Sequence, residues 1–163
     1  MPPNVRHKSA GVLRVPRLWQ ENYTRESSYY TIQLRNFGDE KGIYKALVLD
    51  HLIHSFVAPD SPTTLRYPYL KVFEEITQYI TQPNRPMRVL HLGGGGYSFP
   101  RYLEAVYPGT VNEVVEIDPA VTQVAHEELG LPMDTSIKTY NRDARLVLIG
   151  RKAADKYNMV IGD

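Results

Sequence analysis

Apolar positions along the chain follow two different spacings, and the change from one to the other divides the molecule. From Ser28 to Val57 the residues favour strands: Tyr29, Tyr30, Ile32 and Leu34, then Ile43, Tyr44, Ala46, Leu47, Val48 and Leu49. Between these runs, Asn36-Phe37-Gly38-Asp39-Glu40-Lys41-Gly42 has the glycines and short polar residues of a hairpin loop, which predicts an antiparallel N-terminal sheet. Pro59, Ser61 and Pro62 break the pattern. Leu70, Phe73, Ile76 and Ile80 then recur at helical spacing up to a second breaker, Gln82-Pro83-Asn84-Arg85-Pro86.

From Arg88 onward the pattern alternates. The apolar strand Arg88-Val89-Leu90-His91-Leu92 runs into Gly93-Gly94-Gly95-Gly96, and Ser98, Phe99 and Pro100 start a helix that Pro108-Gly109 ends. The strand Val114-Val115-Glu116-Ile117 is followed by Asp118 and Pro119, a helix start, with Val121, Val124, Ala125 and Leu129 as its apolar stripe and Gly130 as its stop. A third strand-like segment ends in Asn141-Arg142-Asp143-Ala144, a short helix follows, and Tyr157 to Gly162 reads as a further strand. Short connections between alternating strands and helices imply a parallel α/β sheet with right-handed crossovers. The expected class is therefore α/β: a small N-terminal antiparallel β domain followed by a partial, Rossmann-like parallel sheet. The expected divisions are a tail over 1–25, the β domain over 26–66, and a nucleoside-binding domain over 67–163 that is incomplete at its C-terminus.

Composition narrows the function classes. The 163 residues carry 19 basic and 18 acidic side chains, mixed along most of the chain, which gives no electrostatic case for nucleic acid. Only the first stretch, with Arg6, Lys8, Arg14 and Arg17, is one-sided, as a solvated tail or a surface-binding arm. The absence of cysteine excludes disulfides, thiolate metal sites and thiol nucleophiles, and fits a cytoplasmic setting. No stretch approaches the ~20 apolar residues of a membrane span.

The candidate chemistry lies at the ends of the parallel strands. Gly93, Gly94, Gly95 and Gly96 follow the first strand beside a helix start, where small residues let a ligand approach the backbone and free N–H groups favour an anion. Glu116 ends the second strand about 20 residues on, where a carboxylate accepts hydrogen bonds from a ribose diol. The competing role for Glu116, favouring a helix dipole, suits Asp118 better. Asp143 suits an adenine amino group or an ordinary loop carboxylate. Gly93-x-Gly95-x-x-Ser98 lacks the third glycine of the dinucleotide fingerprint, which weakens a nicotinamide reading. His91, inside an apolar strand, reads as a hydrogen-bonded core residue. His51 and His54 have no third metal ligand at a convincing spacing, so no metal is expected. Tyr67 and Tyr69 either line a substrate pocket or pack with a hydroxyl at the surface.

Several motifs fall in one order: Glu26-Ser27-Ser28-Tyr29-Tyr30-Thr31-Ile32, Leu47-Val48-Leu49-Asp50, Tyr67-Pro68-Tyr69, the Gly93 run, Val115-Glu116-Ile117-Asp118, Arg142-Asp143-Ala144 and Val160-Ile161-Gly162-Asp163. In this the chain resembles the spermidine synthases, the polyamine aminopropyltransferase superfamily. The resemblance implies a small β domain before a class I methyltransferase-like domain. It implies a reaction in which an amine attacks the carbon beside the sulfonium of decarboxylated S-adenosylmethionine, releasing methylthioadenosine. The donor, as substrate, would lie against Gly93 to Gly96, Glu116, Ile117, Asp143 and Ala144, with Glu116 on the ribose and Asp143 on the adenine. Asp163 would be the catalytic acid near the reacting amine, and His54, Tyr67 and Tyr69 would face a small-molecule amine or other acceptor. Family members often form dimers.

The departures from the family pattern are specific. Where the family has an acid in the glycine loop to hold the aminopropyl ammonium, this sequence has Gly96 followed by Tyr97. Where the family has Gln after its Leu-Asp-Gly segment, this sequence has His54, and a Tyr-His-Glu-like triplet becomes Tyr67-Pro68-Tyr69. The lost acid led us to expect that the glycine N–H groups bind the carboxylate of ordinary S-adenosylmethionine. A methyltransferase using that donor and a non-catalytic nucleoside-binding module remain the alternatives. A sheet with an uncovered edge is also expected to make the isolated chain associate.

Overall fold

The computed structural model describes residues 20–39, 42–82, 85–152 and 156–162. Its first sheet is antiparallel, with strands in chain order: β1 (Gln20–Glu26), β2 (Thr31–Asp39), β3 (Gly42–Leu49) and β4 (Leu52–Val57). β1 lies at the end of the stretch read as tail. Its sequence, QENYTRE, carries no apolar alternation, and it pairs through its backbone from Gln20↔Asn36 to Glu26↔Thr31. Among the described residues β1 is an edge strand, a position where charged side chains are common because they discourage further pairing. The β2–β3 hairpin is tighter than the loop expected over 36–42, since pairing continues through Phe37↔Tyr44 and Gly38↔Ile43 to Asp39↔Gly42. Aromatic packing accounts for the extension: the Phe37 ring lies 5.3 Å from Tyr44 and 5.2 Å from Phe56. At the β3–β4 turn Asp50 takes a φ of 56°, and its carboxylate accepts the Thr31 N–H at 2.9 Å.

The second sheet is parallel in the order β7 (Lys138–Asn141), β6 (Val111–Glu116), β5 (Arg88–Leu92), β8 (Met159–Gly162). Among the described residues four helices accompany it: α1 (Pro68–Ile80), α2 (Ser98–Val106), α3 (Pro119–Glu128) and α4 (Ala144–Gly150). The succession of strands and helices from Arg88 agrees with the expected one. Asp118 caps α3 by accepting the Ala120 N–H, and Gly130 follows the helix at a φ of 74°. In α1, Leu70, Phe73 and Ile80 pack inward, whereas Ile76 of the expected stripe is exposed.

Register and the strand period of two sort the second sheet into faces. Val89, His91, Asn112, Val114, Met159 and Ile161 share one face, and Leu90, Leu92, Glu113, Val115, Tyr140 and Val160 share the other. Two apolar clusters cover the first face. One joins Met87, Val89 and Ile161 to Leu70 of α1 and to Phe99, Tyr102 and Leu103 of α2. The other joins Val114 to Val121, Val124 and Ala125 of α3 and to Ile32, Leu34, Leu47, Leu49 and Val57 of the antiparallel sheet. The first sheet thus docks on α3 and the glycine loop. Polar ties reinforce the contact: Lys45 Nζ lies 2.6 Å from Glu128 Oε2, and Arg25 donates to Gln123 at 2.9 Å. No helix among the described residues is long and apolar enough to cross a membrane.

Candidate functional site

The loop after β5 is fixed from within. Gly93 and Gly95 adopt φ values of 108° and 46°, and Tyr97 takes φ 54° as the residue before α2. A non-glycine residue holds that conformation here because its fully buried side chain has no other place. The Tyr97 hydroxyl shares hydrogen bonds with Thr122 of α3 at 3.0 Å and Thr139 of β7 at 3.1 Å. Burial raises its pKa against those two bonds. The ring fills the space beside Gly94, where a Cβ would fall 2.7 Å from Tyr97 Cε2.

All five backbone N–H groups of this loop are engaged. Gly93 donates to the Val115 carbonyl at 2.8 Å and Tyr97 donates to the Gly94 carbonyl at 2.8 Å. Gly94 and Gly95 donate to Glu116 Oε2 at 2.8 and 3.3 Å, and Gly96 donates to Ser55 Oγ at 3.0 Å. The expectation that the glycine N–H groups receive a donor carboxylate is therefore corrected: two are taken by Glu116 and one by Ser55 of β4. The sequence shows the glycines but not these side-chain acceptors, which come from 21 to 41 residues away.

Glu116 is almost completely buried at the carboxyl end of β6. Among the described residues its Oε1 accepts one backbone N–H, that of Asp118 at 2.9 Å, so lone-pair capacity remains on that oxygen. Asp118 performs the capping role foreseen for it, and its second oxygen accepts the Ser27 hydroxyl. Ser27 Oγ in turn accepts the N–H groups of Tyr29 and Tyr30, at 3.1 and 2.9 Å. This turn sets Tyr30 at the rim of the site. Burial, followed by the charges of Glu116, Asp118 and Asp50, raises the Tyr30 pKa.

A cleft of about 330 Å³ opens between the two sheets at the strand ends. Gly93, Gly95, Glu116, Ile117, Asp143, Ala144 and His54 line it, bringing together seven residues singled out from the sequence. Asp143 stands at the start of α4, where Oδ1 accepts the Arg145 N–H at 2.7 Å and the other carboxylate oxygen takes no part in the cap. Tyr30, Leu49, Leu92 and Val115 also line the cleft and were missed as site residues. Tyr30, Leu49 and Val115 lie in motifs that carry the resemblance, which was the available signal.

Gly94, Tyr67 and Tyr69 lie elsewhere. They line a second cavity of about 20 Å³ that meets the cleft at Gly93, with Phe73, His91, Ser98 and Phe99 among its walls. Tyr67 donates to the Ile53 carbonyl at 3.2 Å, and its ring centre lies 5.0 Å from that of Tyr69. His91 is a core residue, as read, with Nε2 3.2 Å from Asn112 Oδ1; burial lowers its pKa to about 4 despite that bond. Gly96 lines neither space and packs against Ser55 and Val57. Asp163 lies outside the described residues. Among the described residues no cluster of His, Asp or Glu is arranged to hold a metal ion.

Comparison with known proteins places this geometry. No protein-family model matches the chain. A polyamine aminopropyltransferase from Vibrio vulnificus is 33% identical over 81 residues, 48% of this chain and 27% of that protein. A probable spermidine synthase from Corynebacterium glutamicum superposes with a TM-score of 0.74 at 25% identity, over 86% of this chain and 51% of that one. The same fold recurs in a spermidine synthase in complex with the transition-state analogue AdoDATO, with a TM-score of 0.62 at 17% identity over 88% of this chain and 47% of that one. It recurs again in human methyltransferase-like protein 13 in complex with SAH, with a TM-score of 0.53 at 23% identity over 60% and 48%. The chain thus spans about half the length of the solved structures it matches. Over about half its length in sequence, and over most of it in fold, the chain is similar to spermidine synthases, and its parallel half is a Rossmann-like, methyltransferase-type sheet.

Proposed function

We propose that the chain holds the nucleoside part of an S-adenosyl sulfonium donor in a spermidine synthase-like transferase, with decarboxylated S-adenosylmethionine favoured over the ordinary form. The observation that carries the reading is the cleft at the ends of β5 and β6, which gathers Glu116 and Asp143 with the glycine loop. In this reading Glu116 Oε1 accepts a ribose hydroxyl while Oε2 keeps the loop in place. The oxygen of Asp143 outside the α4 cap accepts the adenine amino group, and Leu49, Leu92, Ile117 and Ala144 sandwich the base. The engaged loop amides favour the decarboxylated donor, because an α-carboxylate finds no free N–H group among Gly93 to Tyr97.

The chemistry follows from that placement. A neutral amine attacks the carbon beside the sulfonium, the new C–N bond forms as the C–S bond breaks, and the electron pair returns to sulfur, leaving a neutral thioether. The amine proton passes to a carboxylate, for which Asp163 is the candidate by resemblance. Tyr67 and Tyr69 are the candidate walls for the acceptor and His54 for the mouth of the donor cleft. Holding donor and amine in line supplies much of the acceleration in such a transfer. Division into a β unit over 26–66 and a nucleoside-binding unit over 67–163 belongs to the same proposal.

Calorimetric titration with decarboxylated S-adenosylmethionine tests the reading. Saturable binding that weakens at least tenfold in Glu116→Gln is the expected result, and no binding refutes it. A methyltransferase is the second reading, favoured by the fold shared with the SAH-bound human protein. Donor labelled separately in its methyl and aminopropyl groups separates the two, since only the transferred group appears in the acceptor.

A further inference from the structure

The helix that begins after Asp143 lacks an apolar anchor. α4 connects β7 to β8 along the side of the sheet that carries Glu113, yet none of its seven residues is buried, and Leu146, Leu148 and Ile149 are all exposed. A short helix ordinarily draws its stability and its direction from a packed apolar face. Here polar ties at the two ends take that part, and both lead to β6. At the start, the Arg142 N–H donates to the Glu116 carbonyl at 3.1 Å and Asn141 Nδ2 donates to the same oxygen at 3.3 Å. At the finish, Arg151 follows the last helical residue, and its guanidinium donates to Glu113 Oε2 at 2.7 Å.

The Glu113 end is firmly held. Glu113 is buried, Arg88 donates to its Oε1 at 2.9 Å, and the Tyr157 hydroxyl donates to its Oε2 at 2.9 Å. The guanidinium carbon of Arg151 also lies 5.4 Å from the centre of the Tyr157 ring and 5.8 Å from that of Tyr140 in β7. With both ends fastened to one strand, the direction of α4 is set.

The Asp143 carboxylate turns with that helix. Its Oδ1 accepts the N–H groups of Arg145 and Leu146, at 2.7 and 3.4 Å, so the group is fixed to the first turn of α4. Asp143 and Ala144 line the cleft, whereas Arg151 and Glu113 do not. Seven residues span only about 10 Å, so a small swing at Arg151 re-aims the carboxylate at the other end. Hydrogen bonds weaken steeply once misaligned.

We infer that the Arg151–Glu113 ion pair is a positioning device for base recognition, holding α4 in the direction that keeps the Asp143 carboxylate on the 6-amino group of the purine. The inference rests on the nucleoside reading given above and adds two residues outside the cleft that set its specificity. Loss of the pair costs discrimination between bases. The ribose contact stays, because Glu116 is held by the glycine loop and not by α4.

The test is a calorimetric comparison, on the 163-residue chain, of adenosine with purine riboside, which has hydrogen in place of the 6-amino group. In the parent, adenosine should bind at least about fivefold tighter, the scale of one hydrogen bond to a charged acceptor. Arg151→Met keeps a long side chain without the charge, and it should bring the ratio below twofold while purine riboside binds within twofold of the parent. Glu113→Gln removes the charge from the other side of the pair and should have the same effect. Arg151→Lys, which retains the charge, should restore part of the preference. A variant that is merely destabilised loses both ligands in parallel. A parallel loss in both variants, or a retained ratio in either, therefore overturns the inference and leaves the nucleoside reading intact. A parent that binds the two ligands equally also overturns it, and a parent that binds neither overturns the nucleoside reading as well.

Discussion

The two faces of the parallel sheet are built differently. On one, Val89, Val114, His91, Asn112 and Ile161 are sealed beneath α1, α2, α3 and the antiparallel sheet, none more than 5% exposed. On the other, the centre is closed at Leu90 and Val115, but Val160 is 54% exposed and α4 buries none of its residues, leaving Leu146 and Ile149 open at 67% and 72%. What organises this second face is polar. Glu113 receives Arg88 at 2.9 Å, Arg151 at 2.7 Å and the Tyr157 hydroxyl at 2.9 Å. The two acids of the cleft therefore stand on unequal supports. Glu116 is clamped to the loop above the sealed face, whereas Asp143 begins a helix with few apolar contacts, and regions of that kind open most readily.

The contrast is open to direct attack. Leu103→Ala, under α2 on the sealed face, should cost roughly 2–5 kcal/mol in urea unfolding, since Leu103 is fully buried. His91 gives that face a pH signature. Its folded pKa of about 4 lies below the ordinary 6.5, so its contribution is whole above pH 6.5 and drains as pH falls toward 4. At about 1.4 kcal/mol per unit the loss is roughly 3 kcal/mol, and stability measured in His91→Gln should fall by that much less across the same window.

Glu113→Gln probes the other face and should cost about 1–3 kcal/mol, the range for hydrogen bonds to a charged group. Burial pushes the Glu113 carboxyl up, but Arg151, Arg88 and Tyr157 outweigh it and hold it below the ordinary 4.5. Its contribution is thus present above pH 4.5 and lost as pH falls through the lower folded value, a dependence the glutamine variant should lack. Tyr97→Phe should cost about 1 kcal/mol through the lost hydroxyl bonds, and it should also weaken nucleoside binding by loosening the loop. Leu146→Ala on α4 should lie within about 0.5 kcal/mol of the parent. A Leu146 cost matching that of Leu103 would erase the distinction between the faces.

The sequence made the parallel half legible because each element there carries its own punctuation, such as Asp118-Pro119 and Gly130 around α3. β1 escaped because an edge strand needs backbone partners more than apolar alternation. The hairpin came out too loose because Phe37, placed in the loop, is held by rings that arrive from β3 and β4. At the site, residues that follow strand ends were found, since fold geometry alone takes them to one edge. Of the residues that reach the site from the antiparallel sheet, His54 was found through the resemblance, whereas Leu49 and Ser55 were not. Ser55 is an unremarked serine in the chain, and only the docking of β4 on the loop gives it an amide to hold.

Gly94 shows how this arrangement constrains change over many substitutions. Its backbone has no positive φ, so its lack of a side chain reflects room taken by the Tyr97 ring rather than conformational freedom. The order of mutation then matters: alanine at 94 meets the ring at once, while the same alanine after Tyr97 has been replaced by a small residue is relieved of those three closest contacts. In a combinatorial library the two positions should consequently covary, small at 97 preceding any side chain at 94. A lineage that keeps the tyrosine has, in effect, forfeited every residue but glycine three places before it.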